Sequence, residues 1–190
     1  EFMRIQRDLE ILKYVGGRIH FSNISCHQSV ELIRKAKKQK LNVTCGIAAH
    51  QLSYLDEDMI QFPSNLKVLP PFRTDLDRQS LIAGLLDDTI DCIVSDHTPA
   101  IIEDKAVEFE FAQFGISSLE TSFVSALTAT EGDVRIDQLT RKFNTTPANI
   151  IGYALPEIED NKAASITIFT LSQNTNFQKH SWASKSYNSP

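Results

Sequence analysis

The residues most able to do chemistry stand at the ends of short apolar segments. Asp96 and His97 follow one such segment, Asn23 lies at the end of another, and His50 comes directly after a third. In folds built from parallel strands and helices, functional side chains gather at the carboxyl ends of the strands. A carboxylate beside a histidine is a candidate for metal binding or proton transfer. Residue types alone are equally compatible with a structural role, in which Asp96 caps the following turn and His97 forms a hydrogen bond with a carbonyl group.

Other kinds of reactive site have little support. The five histidines form no HxH or HExxH pair, and the three cysteines show no CxxC spacing. A catalytic zinc site needs about three protein ligands, which these patterns do not supply. Cys45 and Cys92 lie inside apolar segments, where cysteine is ordinarily inert packing. Cys26 lies near a predicted helix start that could lower its pKa, although the packing interpretation is favoured.

Alternating strand and helix patterns predict how these residues are positioned. We predict strands at 18–24, 42–49 and 89–95, and helices at 2–15, 26–39, 117–130 and 136–143. Ser25 and Gln28 fit a capping box that begins the second helix. Short strands alternating with helices are typical of a parallel sheet, so the fold class is α/β. We therefore expect Asn23, His50 and Asp96 on one rim of the sheet.

The composition changes near residue 160, where Ser, Asn and Thr become frequent. Residues 164–171 alternate in polarity, which predicts a strand. We therefore divide the chain into a larger unit at 1–158 and part of a small β-type domain at 159–190. Both ends of the chain look cut, which suggests a piece of a longer protein.

Composition excludes several classes of function. The 190 residues carry 19 Lys and Arg against 24 Asp and Glu, a net charge of −5, so a nucleic-acid surface is not expected. No apolar run approaches the roughly 18 residues that would span a bilayer. Few cysteines without paired spacing favour a reducing compartment, and we expect the cytoplasm.

Several motifs together resemble the dihydroorotases of the amidohydrolase superfamily. The segment ending in Ser95-Asp96-His97-Thr98-Pro99 is similar to that family's strand-end (S/T)DHxP motif. Five further segments match family motifs in family order. Residues 18–25 with 29–33 resemble the strand and helix that carry a zinc-ligand histidine, and Ala49-His50-Gln51-Leu52 resembles PHHL. Residues 67–73 resemble KVNPPLR, residues 115–121 resemble GIxGLET, and residues 184–190 resemble the closing SKSxNTPF.

The resemblance implies the last strands of an eight-stranded (β/α)8 TIM-type barrel, plus a piece of the family's small β-domain. It implies zinc, pyrimidine biosynthesis, and hydrolysis of the cyclic amide of dihydroorotate to carbamoyl aspartate. Asp96 matches the family's metal ligand and general base, while Arg73 and His50 match its substrate-binding segments. The family's paired histidines and its other upstream metal ligands are not in this chain.

Three positions depart from the family pattern. Asn23 stands where the family has a zinc-ligand histidine, Leu69 replaces a substrate-binding Asn, and Ala100 replaces a His that contacts the substrate carboxylate. An amide is a poorer zinc ligand than an imidazole. Burial of Leu69 and Ala100 is expected to make an apolar mouth. We therefore expect a degraded site that holds no zinc in this chain.

Three hypotheses stay open. The first is an active zinc-dependent dihydroorotase completed by upstream sequence, and the second is a non-catalytic dihydroorotase-like subunit. The third is a binding module for another small molecule. The expected partners are a second copy, the remainder of its own chain, or aspartate carbamoyltransferase, which non-catalytic members of the family bind.

Overall fold

A small parallel sheet organises the chain, as the computed structural model shows for residues 1–130, 133–156, 158–161, 164–171, 183–186 and 188–189. Its strands are β1 (Ile19–Phe21), β2 (Val43–Ala48) and β3 (Cys92–Val94), paired in the order β1-β2-β3. Both pairings are parallel, so the predicted α/β pattern is confirmed. The helices of these residues are α1 (Phe2–Val15), α2 (His27–Lys38), α3 (Asp75–Leu86), α4 (Ile102–Lys105), α5 (Ser122–Ala129), α6 (Ile136–Phe143) and α7 (Thr145–Ile151).

One face of the sheet packs against the helices. Val43, Cys45 and Ile47 alternate along β2 and are buried in a single apolar core with Ile33 of α2 and Leu85 of α3. Each such side chain contributes roughly 1.5–3 kcal/mol by leaving water. The sheet therefore gains its stability mainly from the helices on this face.

The opposite face carries smaller and polar side chains. His20 of β1 and Thr44 of β2 are bonded through Nδ1 and Oγ1 at 2.8 Å. A Cβ atom at Gly46 would lie only 2.8 Å from Cys92 Sγ on the next strand. Because Gly46 has no side chain, β2 can pair with β3 without a clash between position 46 and the Cys92 side chain.

The predicted first residues of two helices were wrong because side chains from elsewhere accept the backbone N–H groups at these positions. The helix predicted at 117–130 begins only at Ser122, since the amides of Ser118 and Leu119 donate to His97 Nδ1, both at 3.1 Å. Ser25 does not cap α2. Its amide and hydroxyl donate to the Glu1 carboxylate at 2.9 and 2.6 Å, and Cys26 takes the N-cap position.

The strand predicted at 164–171 is also wrong. These residues are described and form no strand, although Phe169 contacts the Phe123 ring at 5.2 Å between centroids. Alternation alone does not make a strand without a neighbouring strand to bond, and the described residues supply none there. Among the helices of the described residues, none is long and apolar enough to cross a membrane.

Candidate functional site

Asn23 and Asp96 meet at the rim of the sheet, just beyond β1 and β3. Asn23 Nδ2 donates a hydrogen bond of 2.9 Å to Asp96 Oδ1. Both backbones are left-handed, with φ of 55° at Asn23 and 51° at Asp96. Asn and Asp adopt this conformation more readily than other non-glycine residues, yet it still costs roughly 1 kcal/mol each. Two strands therefore end in turns that bring an amide and a carboxylate together.

His50 is the third predicted residue at this rim. It lies in a 3₁₀ turn (Ala49–Leu52) directly after β2, and its Nε2 is 3.9 Å from Asp96 Oδ2. Its side chain is only 4% exposed and meets the Phe72 ring edge-on at 5.7 Å. The expectation that Asn23, His50 and Asp96 share one rim is confirmed.

Two of these side chains have buried polar atoms without partners. Both ring nitrogens of His50 and the Oδ1 atom of Asn23 have no hydrogen-bond partner among the described residues. Burial lowers the pKa of His50 to about 4, although the nearby Asp96 carboxylate acts in the opposite direction. The imidazole is therefore neutral at pH 7, with one N–H and one lone pair. The arrangement can bind a small polar group or move a proton at the Asp96 carboxylate.

These residues do not fit a catalytic zinc ion. Asn23 presents its NH2 group to Asp96, so one carboxylate oxygen is already occupied as an acceptor. Among the residues that the structure describes, no three His, Cys, Asp or Glu side chains come close enough to hold a metal. A catalytic zinc site takes about three protein ligands. The described residues by themselves therefore lack the donor set that the family resemblance implies.

His97 has a structural role. Its Nδ1 accepts the backbone amides of Ser118 and Leu119, both at 3.1 Å. The Ser118 hydroxyl also donates to the Ser95 carbonyl at 2.5 Å, so the loop before α5 is tied to the end of β3. The side chain of His97 thus holds the loop beside Asp96 rather than completing a metal site.

The other predicted site residues are Arg73, Leu69 and Ala100, and each has different surroundings. Arg73 Nε donates to the Ser25 hydroxyl at 3.2 Å, near the start of α2. Leu69 is 60% exposed, which contradicts the expected buried apolar mouth, because no neighbouring chain segment covers it within the described residues. Ala100 lines an open groove of about 590 Å³, whereas His50 lines a separate cavity of about 70 Å³. The substrate roles of Arg73, His50, Leu69 and Ala100 stay predictions.

A segment that sequence reasoning did not assign to the site holds the loop after Asp96. We call residues 183–186 and 188–189 the C-terminal clasp. The Ala100 amide donates to Ser186 Oγ at 3.1 Å and to Asn188 Oδ1 at 3.2 Å. Asn188 Nδ2 donates to the Thr98 and Gly115 carbonyls at 3.1 and 3.2 Å. The only signal for it was the terminal motif, whose residues 187 and 190 lie outside the described residues.

Known dihydroorotases match the entire chain. It is 35% identical over 191 residues to the dihydroorotase of Syntrophus aciditrophicus and 38% identical over 194 residues to that of Pediococcus pentosaceus. Each match covers 100% of this chain and 45% of the relative, so the chain spans a little less than half the length of these curated relatives. No family model matches the chain.

Solved structures agree on the fold. The L-hydantoinase of Arthrobacter aurescens matches 80% of this chain and 35% of its own, with a TM-score of 0.73 and 28% identity. The inactive dihydroorotase-like domain of a Chaetomium thermophilum CAD-like multifunctional protein matches 79% of this chain and 41% of its own, with a TM-score of 0.60 and 19% identity. These neighbours are TIM barrels, and β1–β3 with their helices match part of such a barrel. The chain belongs to the dihydroorotase-like amidohydrolases and corresponds to the C-terminal half of these proteins.

Proposed function

We propose that the chain is part of a dihydroorotase-like protein that no longer catalyses dihydroorotate hydrolysis and whose barrel is kept for its fold and surface. One observation carries the proposal: the Asn23 amide donates to Asp96 where the family resemblance implies a histidine and a shared metal. An NH2 donor stabilises the Asp96 carboxylate without a cation. The Asn23 amide therefore replaces the metal as the group that stabilises the Asp96 carboxylate.

The surroundings of Asp96 support the same proposal. A general base must be free to take a proton from water or substrate, and here one of its oxygens is held by Asn23. Leu69 and Ala100 offer no polar side chain to an anionic ring. One solved neighbour is itself described as an inactive dihydroorotase-like domain, which gives the proposal a precedent within this fold.

The alternative function is an active, zinc-dependent dihydroorotase. It is favoured by the names of the relatives and by the retained carboxylate of Asp96. In that case upstream residues would supply the missing ligands, and Asn23 would have to turn its Oδ1 atom towards the metal. The two functions therefore differ in whether zinc occupies the rim beside Asp96.

Metal content and turnover of the full-length protein separate the two functions. We expect no stoichiometric zinc at this site and no turnover of dihydroorotate at neutral or alkaline pH. Restoring Asn23→His, Leu69→Asn and Ala100→His together is the minimum change expected to recover activity, with Asn23→His alone as the control that recovers little. Stoichiometric zinc together with turnover that Asp96→Ala abolishes would overturn the proposal.

A non-catalytic role implies partners for the uncovered surfaces. Among the described residues, β1 is an edge strand, and Met3, Ile11 and Tyr14 of α1 are 73%, 51% and 92% exposed. Unpaired edges and exposed apolar side chains favour association. We propose that this side contacts the remainder of its own chain or a second copy, with aspartate carbamoyltransferase as a further candidate partner. Light scattering of the 190-residue chain tests this, and a monodisperse monomer at high micromolar concentration would contradict it.

A further inference from the structure

Two segments at the rim end of the sheet form a single apolar surface. Residues 56–62 belong to the connection from β2 to α3, and residues 101–111 belong to the connection from β3 to α5. The Phe62 and Phe109 rings meet at 5.5 Å between centroids, so the two segments are packed together. The large apolar side chains on this surface, each between 62% and 76% exposed, are Ile60, Phe62, Ile101, Ile102 and Phe111. An exposed apolar surface of this kind is typical of a protein interface.

The same surface, which we call the acidic face, carries unpaired negative charge. Its exposed acids, which form no ion pair among the described residues, are Asp56, Glu57, Asp58, Glu103, Glu108 and Glu110. Lys67 and Lys105 do not neutralise them, because both are buried and donate to backbone carbonyls at distances between 2.7 and 3.0 Å. Lys185 of the C-terminal clasp lines the groove beside Ile101 and offsets only part of the charge. A partner of the acidic face therefore needs positive charge beside apolar side chains.

The opposite end of the sheet supplies that combination. There α1 ends at Val15 just before β1, and α2 ends at Lys38 just before β2. The Ile19 amide donates to the Asn42 carbonyl at 3.1 Å, so the two connections lie side by side. This basic end is defined by the exposed cations Arg18, Lys35, Lys38 and Lys40 and by the exposed apolar residues Tyr14 and Val15.

The cations of the basic end are available to a partner. Other cations of α2 are neutralised within the chain, since Arg34 and Lys37 pair with Asp87 and Asp91, both at 2.7 Å. The four cations that define the basic end form no ion pair among the described residues. Because parallel strands all run from the basic end to the acidic face, the two unpaired charges lie at opposite ends of the sheet.

We propose that copies of this protein associate head to tail, with the acidic face of one copy on the basic end of the next. Charge complementarity selects the partner, and Tyr14 and Val15 of one copy bring apolar contacts to Ile101 and Ile102 of the other. The contact joins two different surfaces, so association can continue beyond two copies. It is separate from strand pairing at the β1 edge and does not depend on whether dihydroorotate is hydrolysed.

The experiment is light scattering of the full-length protein at rising concentration in about 0.05 M and about 0.5 M NaCl. We expect the average mass to rise with concentration at low salt and to rise much less at high salt, because salt screens exposed charges. An apolar contact at the β1 edge would not be weakened by salt in this way. Association at low salt should weaken about tenfold or more in Glu108→Lys with Glu110→Lys, and equally in Lys35→Glu with Lys38→Glu.

A control and a mixture make the test decisive. Lys35→Arg with Lys38→Arg keeps the charge of the basic end and should associate as the parent does. Mixing the two charge-reversed variants pairs an intact basic end with an intact acidic face, so the mixture should form a complex that neither variant forms alone. The head-to-tail contact is wrong if the mass of the full-length protein stays constant, if association is the same at both salt concentrations, or if the mixture stays unassociated.

Discussion

Replacing Asn23 by Asp tests whether the amide at the rim stabilises Asp96. The substitution keeps the shape of the side chain and tolerates the left-handed backbone at position 23. It turns the 2.9 Å hydrogen bond into a contact between two carboxylates. The change therefore alters the charge and the donor while leaving packing almost unchanged.

The magnitude follows from the distance and the burial. Losing a hydrogen bond to a charged group costs about 1.5–3 kcal/mol. Repulsion between two charges about 3 Å apart adds roughly 1–5 kcal/mol for effective dielectric constants between 80 and 20. The pair can instead bind a proton, which at pH 7 costs about 4 kcal/mol for a carboxyl of ordinary pKa. We therefore expect the free energy of unfolding to fall by about 2–4 kcal/mol at pH 7.

The assay is urea unfolding at several pH values. Repulsion raises the pKa of the carboxyl pair in the folded state, so the destabilisation grows as pH rises above about 4 and is small below it. Asn42→Asp, at an exposed position before β2, is the matched control and should change stability little at any pH. If Asn23→Asp matched the parent or this control at pH 7, the argument that Asn23 stabilises Asp96 would be refuted.

Three further predictions test other parts of the structure. The double variant Asn188→Ala with Ser186→Ala removes both side-chain acceptors of the Ala100 amide, so hydrogen exchange at that amide should accelerate by tenfold or more. Burial holds the pKa of His50 at about 4, below its ordinary value, so the free energy of unfolding should fall by roughly 3 kcal/mol as pH drops from about 6.5 to 4. Urea unfolding at several pH values measures this fall, which should be absent in His50→Phe. Gly46→Ala should lower the melting temperature, since its side-chain carbon would lie 2.8 Å from Cys92 Sγ, and adding Cys92→Ala to that variant should recover most of the loss.

Much of the parallel sheet could be predicted from sequence because its strands are apolar and β-branched and alternate with amphipathic helices. The shared rim of Asn23, His50 and Asp96 follows from the same logic, since parallel strands end at one edge. The start of α5 could not be predicted, because it depends on His97 accepting two amides from distant residues. The alternation at 164–171 was misleading, since it carries no information about a partner strand.

The sheet that carries the rim and the contacts of the C-terminal clasp form at different times during folding. Asn188 contacts the Thr98 carbonyl across 90 positions of sequence, and Ser186 contacts the Ala100 carbonyl across 86. Contacts of such separation form late, because a long stretch of chain must first be ordered. During synthesis, β1, β2 and β3 emerge well before the clasp. The Ala100 amide and the Thr98 carbonyl therefore lack their clasp partners on the ribosome until residues 186 and 188 have been made. On ribosomes stalled before residue 183 the sheet should already be formed, while the Ala100 amide exchanges its hydrogen without protection.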